Sequence, residues 1–302
     1  MTRRARASLR TMTLDRLAIG DEASLRHVAI YAELKDVLRR ARYRFRVLPA
    51  ARAARPDRAL LLNLTFWSAD AGGDVLVAPR IEADVVAHAA LHHLAARALP
   101  SARGRLPAAS ALILGESIAS AFDVYLVGRL LGHAPRSTFL ATQTPAMADA
   151  AAAAGMTRAG FTALLASLAA DPERAFADLR TLLYDASMAL LSCKDSQQGL
   201  EALTALDGHR FAALLPRYEL SNWVLYARAY ADPRGSDRRA QGIDQALRRA
   251  TSELAWIRER WIDPSLGHPP TRPRATPGTR PAARGAPAPK PARSQARARR
   301  AR

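Results

Sequence analysis

The sequence predicts a mainly α-helical protein with a small β-sheet, an α+β fold in which a strand–helix–helix core is followed by a helical region. Three observations predict it. Several segments repeat apolar residues at helical spacing, two short apolar runs flank a Gly-Gly turn, and glycine and proline interrupt the chain at intervals typical of helices beyond Gly132.

Residues 1–58 are predicted to be an N-terminal basic helical segment. Residues 21–38 place leucine and valine at three- and four-residue spacing, with an acidic start and arginines 39, 40 and 42 at the end, which suits the helix dipole. Residues 39–58 hold eight arginines. We interpret this run as a solvated helix end and loop, the commoner explanation, with a phosphate-contacting stripe as the alternative.

Residues 59–133 are predicted to form the core. An apolar strand over residues 59–67 and a second over 74–79 flank the turn at residues 71–73. Helices are then expected over residues 81–99 and 107–132, the second with Pro107 in its first turn. The strand at 59–67 could pair with an extended peptide or protein ligand, or be a central strand.

Residues 134–263 are predicted to be a helical region, in one domain with the core. We expect four to six helices there, interrupted at Pro145, Gly155, Asp171-Pro172, Gly199, Gly208, Pro216 and Asp232-Pro233.

Residues 264–302 are predicted to be a disordered basic tail. This stretch has eight prolines after position 268, nine arginines, one lysine, and neither an acidic nor an aromatic residue. The chain as a whole has 45 basic and 27 acidic residues, a formal charge of +18, of which the tail supplies +10. A nucleic acid or an anionic lipid surface is therefore the partner expected for the tail, and the body carries no nucleic-acid fold signature.

Composition excludes several classes of protein. The single cysteine, Cys193, rules out an intramolecular disulfide and a cysteine-based zinc cage. The longest apolar stretch, residues 106–132, contains Glu116, Asp123 and Arg129, so we expect a buried helix rather than a membrane span. The basic N-terminus has no apolar stretch behind it, and we expect a soluble, cytoplasmic protein without a secretory signal.

One histidine pair has the spacing of metal ligands. His88 and His92 lie four residues apart on a predicted helix, so both imidazoles point from one face. Two ring nitrogens at this spacing can reach one zinc ion. On its own the pair is a weak signal, since such pairs more often form a polar patch. His93 points about 100° away from His92 and is expected outside the ligand set.

The following helix carries the matching acidic groups. Glu116, Ser120 and Asp123 form one polar stripe on an otherwise apolar helix, and buried carboxylates need partners. Glu116 could be the third metal ligand, while Ser120 and Asp123 could form a second layer in which Asp123 accepts the outer N–H of a ligating histidine. An inter-helix hydrogen-bond network with Arg129, His133 or another arginine is an equal alternative.

This arrangement resembles the gluzincin family of zincin metallopeptidases. In that family a strand region precedes a His-Glu-x-x-His helix, and a downstream helix donates a glutamate to zinc. The resemblance covers residues 59–133 and implies that His88, His92 and Glu116 are zinc ligands. The motif is degenerate, however, because His88-Ala-Ala-Leu-His92 has Ala89 where the family has its general-base glutamate. An alanine methyl cannot move a proton, and losing such a base typically costs about 10²- to 10⁴-fold in rate.

The sequence therefore leads first to a catalytically degenerate metallopeptidase homologue, a pseudo-peptidase that could still bind zinc. An active zinc-dependent hydrolase is the alternative, with Asp84, one turn before His88, as a weak candidate for a non-standard base. A non-enzymatic helical interaction protein is the third hypothesis. His209, Tyr218, Tyr226 and Tyr230 are available to stabilise an oxyanion, but none has a distinguishing context. Trp223, Tyr226 and Tyr230 have helical spacing and are expected to be packing rather than a substrate wall.

Overall fold

Short strands near the N-terminus build two small sheets. The computed structural model describes residues 9–50, 72–101, 105–232 and 237–268. Strand β1 (Arg10–Thr13) is antiparallel to β3 (Arg44–Val47), which is parallel to β4 (Gly72–Leu76). Strand β2 (Ala18–Gly20) pairs in parallel with β5 (Arg80–Glu82) in a separate two-stranded sheet.

Strand β3 corrects our interpretation of the arginine-rich run, which we had assigned to a helix end and loop. Arg44 and Arg46 are exposed, whereas Phe45 and Val47 are buried. This alternation is the period of a half-buried strand, and it was visible in the sequence. The register places Val47 opposite Leu76 in β4, so the apolar face continues across the sheet.

The helix predicted over residues 21–38 is divided in two. Helix α1 (Glu22–Leu25) ends before Val28, whose extended backbone (φ −91°, ψ 92°) places its side chain in the core, and α2 (Ala29–Arg40) follows. Arg39 and Arg40 occupy the last turn of α2, as the dipole argument predicted.

The two helices of the predicted core are present. Helix α3 (Ala83–Ala98) ends before Leu99, because Leu99 precedes Pro100 and a residue before proline disfavours helical backbone. Helix α4 (Ala109–Leu130) ends before Gly132, which adopts a left-handed backbone (φ +78°). Of the 22 residues of α4, 19 are buried, because α3 and several later helices pack around it.

Helix α4 has the length and composition of a membrane span, but 89% of its 18-residue apolar stretch is buried inside the protein. Such burial is typical of the core helix of a soluble protein, in agreement with our interpretation of its charged residues.

Eight α-helices follow Gly132 in the described chain, more than the four to six predicted, and six of them have nine or more residues. Their bounds are α5 (Thr138–Ala153), α6 (Arg158–Ala170), α7 (Pro172–Ser192), α8 (Ser196–Thr204), α9 (Leu220–Tyr230) and α10 (Arg238–Arg249), with a 3₁₀ helix at Ala212–Tyr218 before α9. Helix α11 (Glu253–Ile257), a π-helical turn (Arg258–Ile262) and the short α12 (Asp263–Ser265) complete the series.

Two of the predicted helix breaks are wrong. Pro145 lies inside α5, on its exposed side, where water can solvate the carbonyl group that loses its partner. Gly199 lies inside α8 and faces α7, where an added Cβ would be at an ordinary contact distance, 3.6 Å, from the Leu190 side chain. The breaks at Gly155 and Asp171 are confirmed, and the Asp171 side chain caps α7.

The fold class, mainly helical with a small mixed β component, is confirmed. The described residues belong to one compact unit. The predicted strand at 59–67 and almost all of the predicted tail lie outside the described residues.

Candidate metal site

Small residues bring helices α3 and α4 close together. Seven of the sixteen residues of α3 are alanine, and an added Cβ at Gly115 would lie 3.3 Å from the Cβ atom of Ala95. This contact is one residue from Glu116 on α4 and three residues from His92 on α3. The close approach explains how a short glutamate side chain reaches the imidazoles of the neighbouring helix.

Three of the predicted site residues meet at one point. The Nε2 atoms of His88 and His92 are 3.2 Å apart, and His92 Nε2 lies 3.0 Å from Glu116 Oε2. One ligand atom from each of the three residues lies within 4.8 Å of the others, and His92 and Glu116 are buried.

These separations suit a divalent transition metal. Donor atoms bound tetrahedrally at about 2.0–2.1 Å are about 3.3 Å from one another. Two of the donor separations lie close to that value. Because two nitrogen atoms and a carboxylate oxygen form the set, its chemistry matches the ligands preferred by zinc.

The structure places the two predicted supporting residues beside this group. His88 Nδ1 lies 3.5 Å from Asp123 Oδ2, and Ser120 Oγ donates to Glu116 Oε1 at 3.0 Å. Since a carboxylate only accepts, Asp123 favours a proton on Nδ1 of His88 and directs the Nε2 lone pair toward the other donors. Serine likewise fixes one oxygen of Glu116 and leaves the other facing His92.

The charges of the site are strongly coupled. Burial alone would raise the pKa of Glu116, but the His92 and His88 imidazoles and the Ser120 hydroxyl lower it to about 2. Burial would lower the pKa of His88, but the Asp123 carboxylate, followed by Glu116 and Asp74, raises it to about 9. The cluster therefore stabilises positive charge, either as protons on imidazole or as a cation in their place.

Other residues of α3 face different surroundings. Ala89 is 2% exposed and belongs to the hydrophobic core. His93 packs edge-to-face on the Tyr43 ring at 5.5 Å and is not one of the three converging groups, as expected. Burial, followed by the Asp123 charge, raises the pKa of Asp84 to about 6.

Among the aromatic candidates, Tyr218 interacts electrostatically with Asp123. It ends the 3₁₀ helix, and burial, with the Asp123 charge, raises the pKa of its phenol. Trp223 is buried and packs edge-to-face on Tyr218 at 6.3 Å, as predicted for packing. His209 packs against Phe211, and Tyr226 stacks on Tyr230.

Sequence reasoning missed one buried carboxylate. Asp74 on β4 is 6% exposed, accepts a hydrogen bond from the Tyr43 hydroxyl at 2.8 Å, and interacts electrostatically with both His92 and His88. An aspartate inside a short apolar strand directly before the histidine helix was the available signal, because such a residue needs a polar partner.

Comparisons with known proteins add no assignment, since no family model, curated protein or solved structure matches the chain.

Proposed function

We propose that this protein binds zinc through His88, His92 and Glu116. The observation that carries the proposal is the convergence of two imidazole nitrogens and one carboxylate oxygen between α3 and α4. A cation at this point is within reach of all three donor atoms and supplies the positive charge that the cluster stabilises. Asp123 and Ser120 orient the ligands.

The protein is, on this proposal, a pseudo-peptidase related to the gluzincins. The residue in the position of the family's general base is Ala89, which is packed in the hydrophobic core. A glutamate there would have to bury its charge among apolar side chains. We therefore expect metal binding without the family's peptide hydrolysis.

Zinc titration against a chromophoric chelator tests the proposal. We expect one zinc per chain, with His92→Ala and Glu116→Gln each weakening binding by more than the ~10- to 100-fold typical of losing an outer-layer partner. His133→Ala is the matched control, because His133 is exposed. Wild-type protein that binds no zinc, or binding that His92→Ala leaves unchanged, would refute the proposal.

An active zinc-dependent hydrolase remains the second candidate because of Asp84. A carboxylic acid with a pKa of about 6 titrates in the range useful for a general base. Its electrostatic neighbours, however, include Asp123 and His88, and Asp123 lies on the Nδ1 side of that imidazole, away from the converging donors. Peptide hydrolysis that requires zinc and disappears in Asp84→Asn would favour this candidate over the pseudo-peptidase.

A further inference from the structure

A groove of about 530 Å³ lies between the end of α7, helix α8 and helix α9. Helix α9 lines it with Ser221, Val224, Leu225 and Arg228, a spacing that places all four on one face of the helix. These residues span roughly 10 Å along the helix axis, at about 1.5 Å per residue. Because the volume lies within the roughly 300–1,000 Å³ of small-molecule sites, the groove can hold a ligand with an extended chain.

The walls of the groove are apolar and open to water. Leu200 on α8 and Leu225 on α9 both line it, and each is 61% exposed. Leu203 and Leu190 extend the apolar lining across α8 to α7. Leucines from adjoining helices thus form one exposed apolar surface, a feature that typically marks a binding site.

Positive charge is concentrated at one end of the groove, where α7 ends. The Arg228 guanidinium donates to the carbonyl groups of Cys193 and Leu191, at 3.1 and 3.2 Å, and is held there. Lys194 lines the same end, and within the described chain neither it nor Arg228 forms an ion pair. Asp195 also lines the groove, but its carboxylate caps the first turn of α8. Two cations therefore stand against one carboxylate that is already hydrogen-bonded.

We propose that this groove binds an amphipathic anion, a carboxylate carried on an unbranched aliphatic chain. The carboxylate pairs with Arg228 and Lys194, and the chain lies along the exposed leucines. A hydrocarbon without a charge would leave both cations unpaired, and a cationic amphiphile would be repelled by them. The inference is independent of the proposed zinc site, because the candidate zinc ligands are not among the described residues that line the groove.

Alkylation of Cys193 by iodoacetamide reports whether the groove is occupied, because Cys193 lines it and is the only cysteine of the chain. A chelator in the buffer keeps metal from binding the carboxylate. We expect decanoate at ten times its Kd to slow alkylation roughly tenfold. Affinity should rise from hexanoate to decanoate by up to about fourfold per methylene, and decylamine should bind at least about fivefold more weakly than decanoate.

Two variants divide the site into its apolar and charged parts. Leu225→Ser should weaken decanoate binding about tenfold, and Lys194→Gln up to about fivefold, each measured as the ratio of alkylation rates without and with decanoate. Leu106→Ser and Arg174→Gln are the matched controls and should keep the wild-type ratio. Leu106 is 59% exposed, the Arg174 side chain is 70% exposed, and neither lines the groove.

Three results would overturn the proposal. The first is a wild type in which decanoate gives Cys193 no protection, or no more than decylamine gives. The second is protection by decanoate that Leu225→Ser leaves unchanged. The third is a dimer in sedimentation velocity that Leu225→Ser dissociates, with Cys193 protected in the dimer before any ligand is added, because a second copy of the chain would then cover the groove.

Discussion

Arg180 holds together the C-terminal helices, and its removal should strongly destabilise the protein. The side chain is fully buried on α7 and donates to Glu253 through Nε at 2.5 Å and Nη2 at 3.0 Å. Its Nη1 donates to Asp244 at 2.7 Å. Both carboxylates are themselves buried, at 6% and 7% exposure. Three helices, α7, α10 and α11, therefore meet at one guanidinium group.

The substitution Arg180→Met removes the charge and keeps a long apolar side chain. Asp244 retains Arg248, whose Nε lies 2.9 Å from Oδ2, but Glu253 loses both of its described charged contacts. Breaking a buried ion pair by removing one partner costs about 3–5 kcal/mol, because the other charge stays buried and uncompensated. We expect a loss of that size in the free energy of unfolding, a large part of the 5–15 kcal/mol typical of a domain.

Urea denaturation followed by circular dichroism measures this loss as a shift in midpoint. The double variant Arg180→Met/Glu253→Met should recover most of the stability, because it buries no unpaired charge. Arg174→Met is the control: Arg174 is 70% exposed and pairs with Asp178, so about 0–1 kcal/mol is expected. A cost below about 1 kcal/mol for Arg180→Met, or no recovery in the double variant, would refute the reasoning.

Three further predictions concern other parts of the chain. Gly128→Ala should lower the free energy of unfolding by about 1–3 kcal/mol, because its Cβ would lie 2.4 Å from a backbone carbonyl oxygen of α6. Gly242→Ala, in open space on α10, should raise the free energy of unfolding by up to about 1 kcal/mol. Equal thermal midpoints for the two variants would contradict this. Apparent zinc affinity should rise with pH, by up to about tenfold per pH unit toward pH 9, because the raised pKa of His88 makes zinc displace a proton. Asp123→Asn should shift this rise to lower pH, and calorimetric zinc titration at several pH values measures both effects. We also propose that residues 264–302 bind nucleic acid without sequence preference, with an affinity that falls steeply between about 50 and 200 mM salt. Deleting residues 269–302 should abolish this binding in a fluorescence anisotropy assay. Binding that persists after the deletion would show that the tail does not cause it.

The candidate site illustrates how far periodicity alone leads. The spacing of His88 and His92 placed both imidazoles on one face of α3, and the apolar surroundings of Glu116 demanded a buried partner for it. Helical geometry supplies both conclusions, because a helix repeats every 3.6 residues wherever it lies in a fold. Which helix faces which is a property of packing, and the contact between Gly115 and Ala95 decides it here.

Errors in the local prediction have the same origin. Gly199 and Pro145 favour chain breaks as isolated residues, yet one marks a helix contact and the other sits where solvent replaces the lost hydrogen bond. Val28 interrupts a continuous helical pattern because its burial in the core outweighs local preference. In each case a long-range contact or solvent exposure outweighs the residue's intrinsic helix propensity, which amounts to no more than a few kcal/mol.

The sequence by itself determined the fold class, the two core helices and the identity of the three candidate ligands, since these depend on composition and on spacing along one helix. The tertiary structure alone decided that Glu116 reaches His92 and that Asp123 lies beside His88. It also showed that Asp74 lies on a strand near the histidines, and that the Arg180 guanidinium is buried, where it joins three helices through Asp244 and Glu253. The physical reason is that burial and pairing of charges depend on contacts between residues far apart in the chain, which no local pattern encodes.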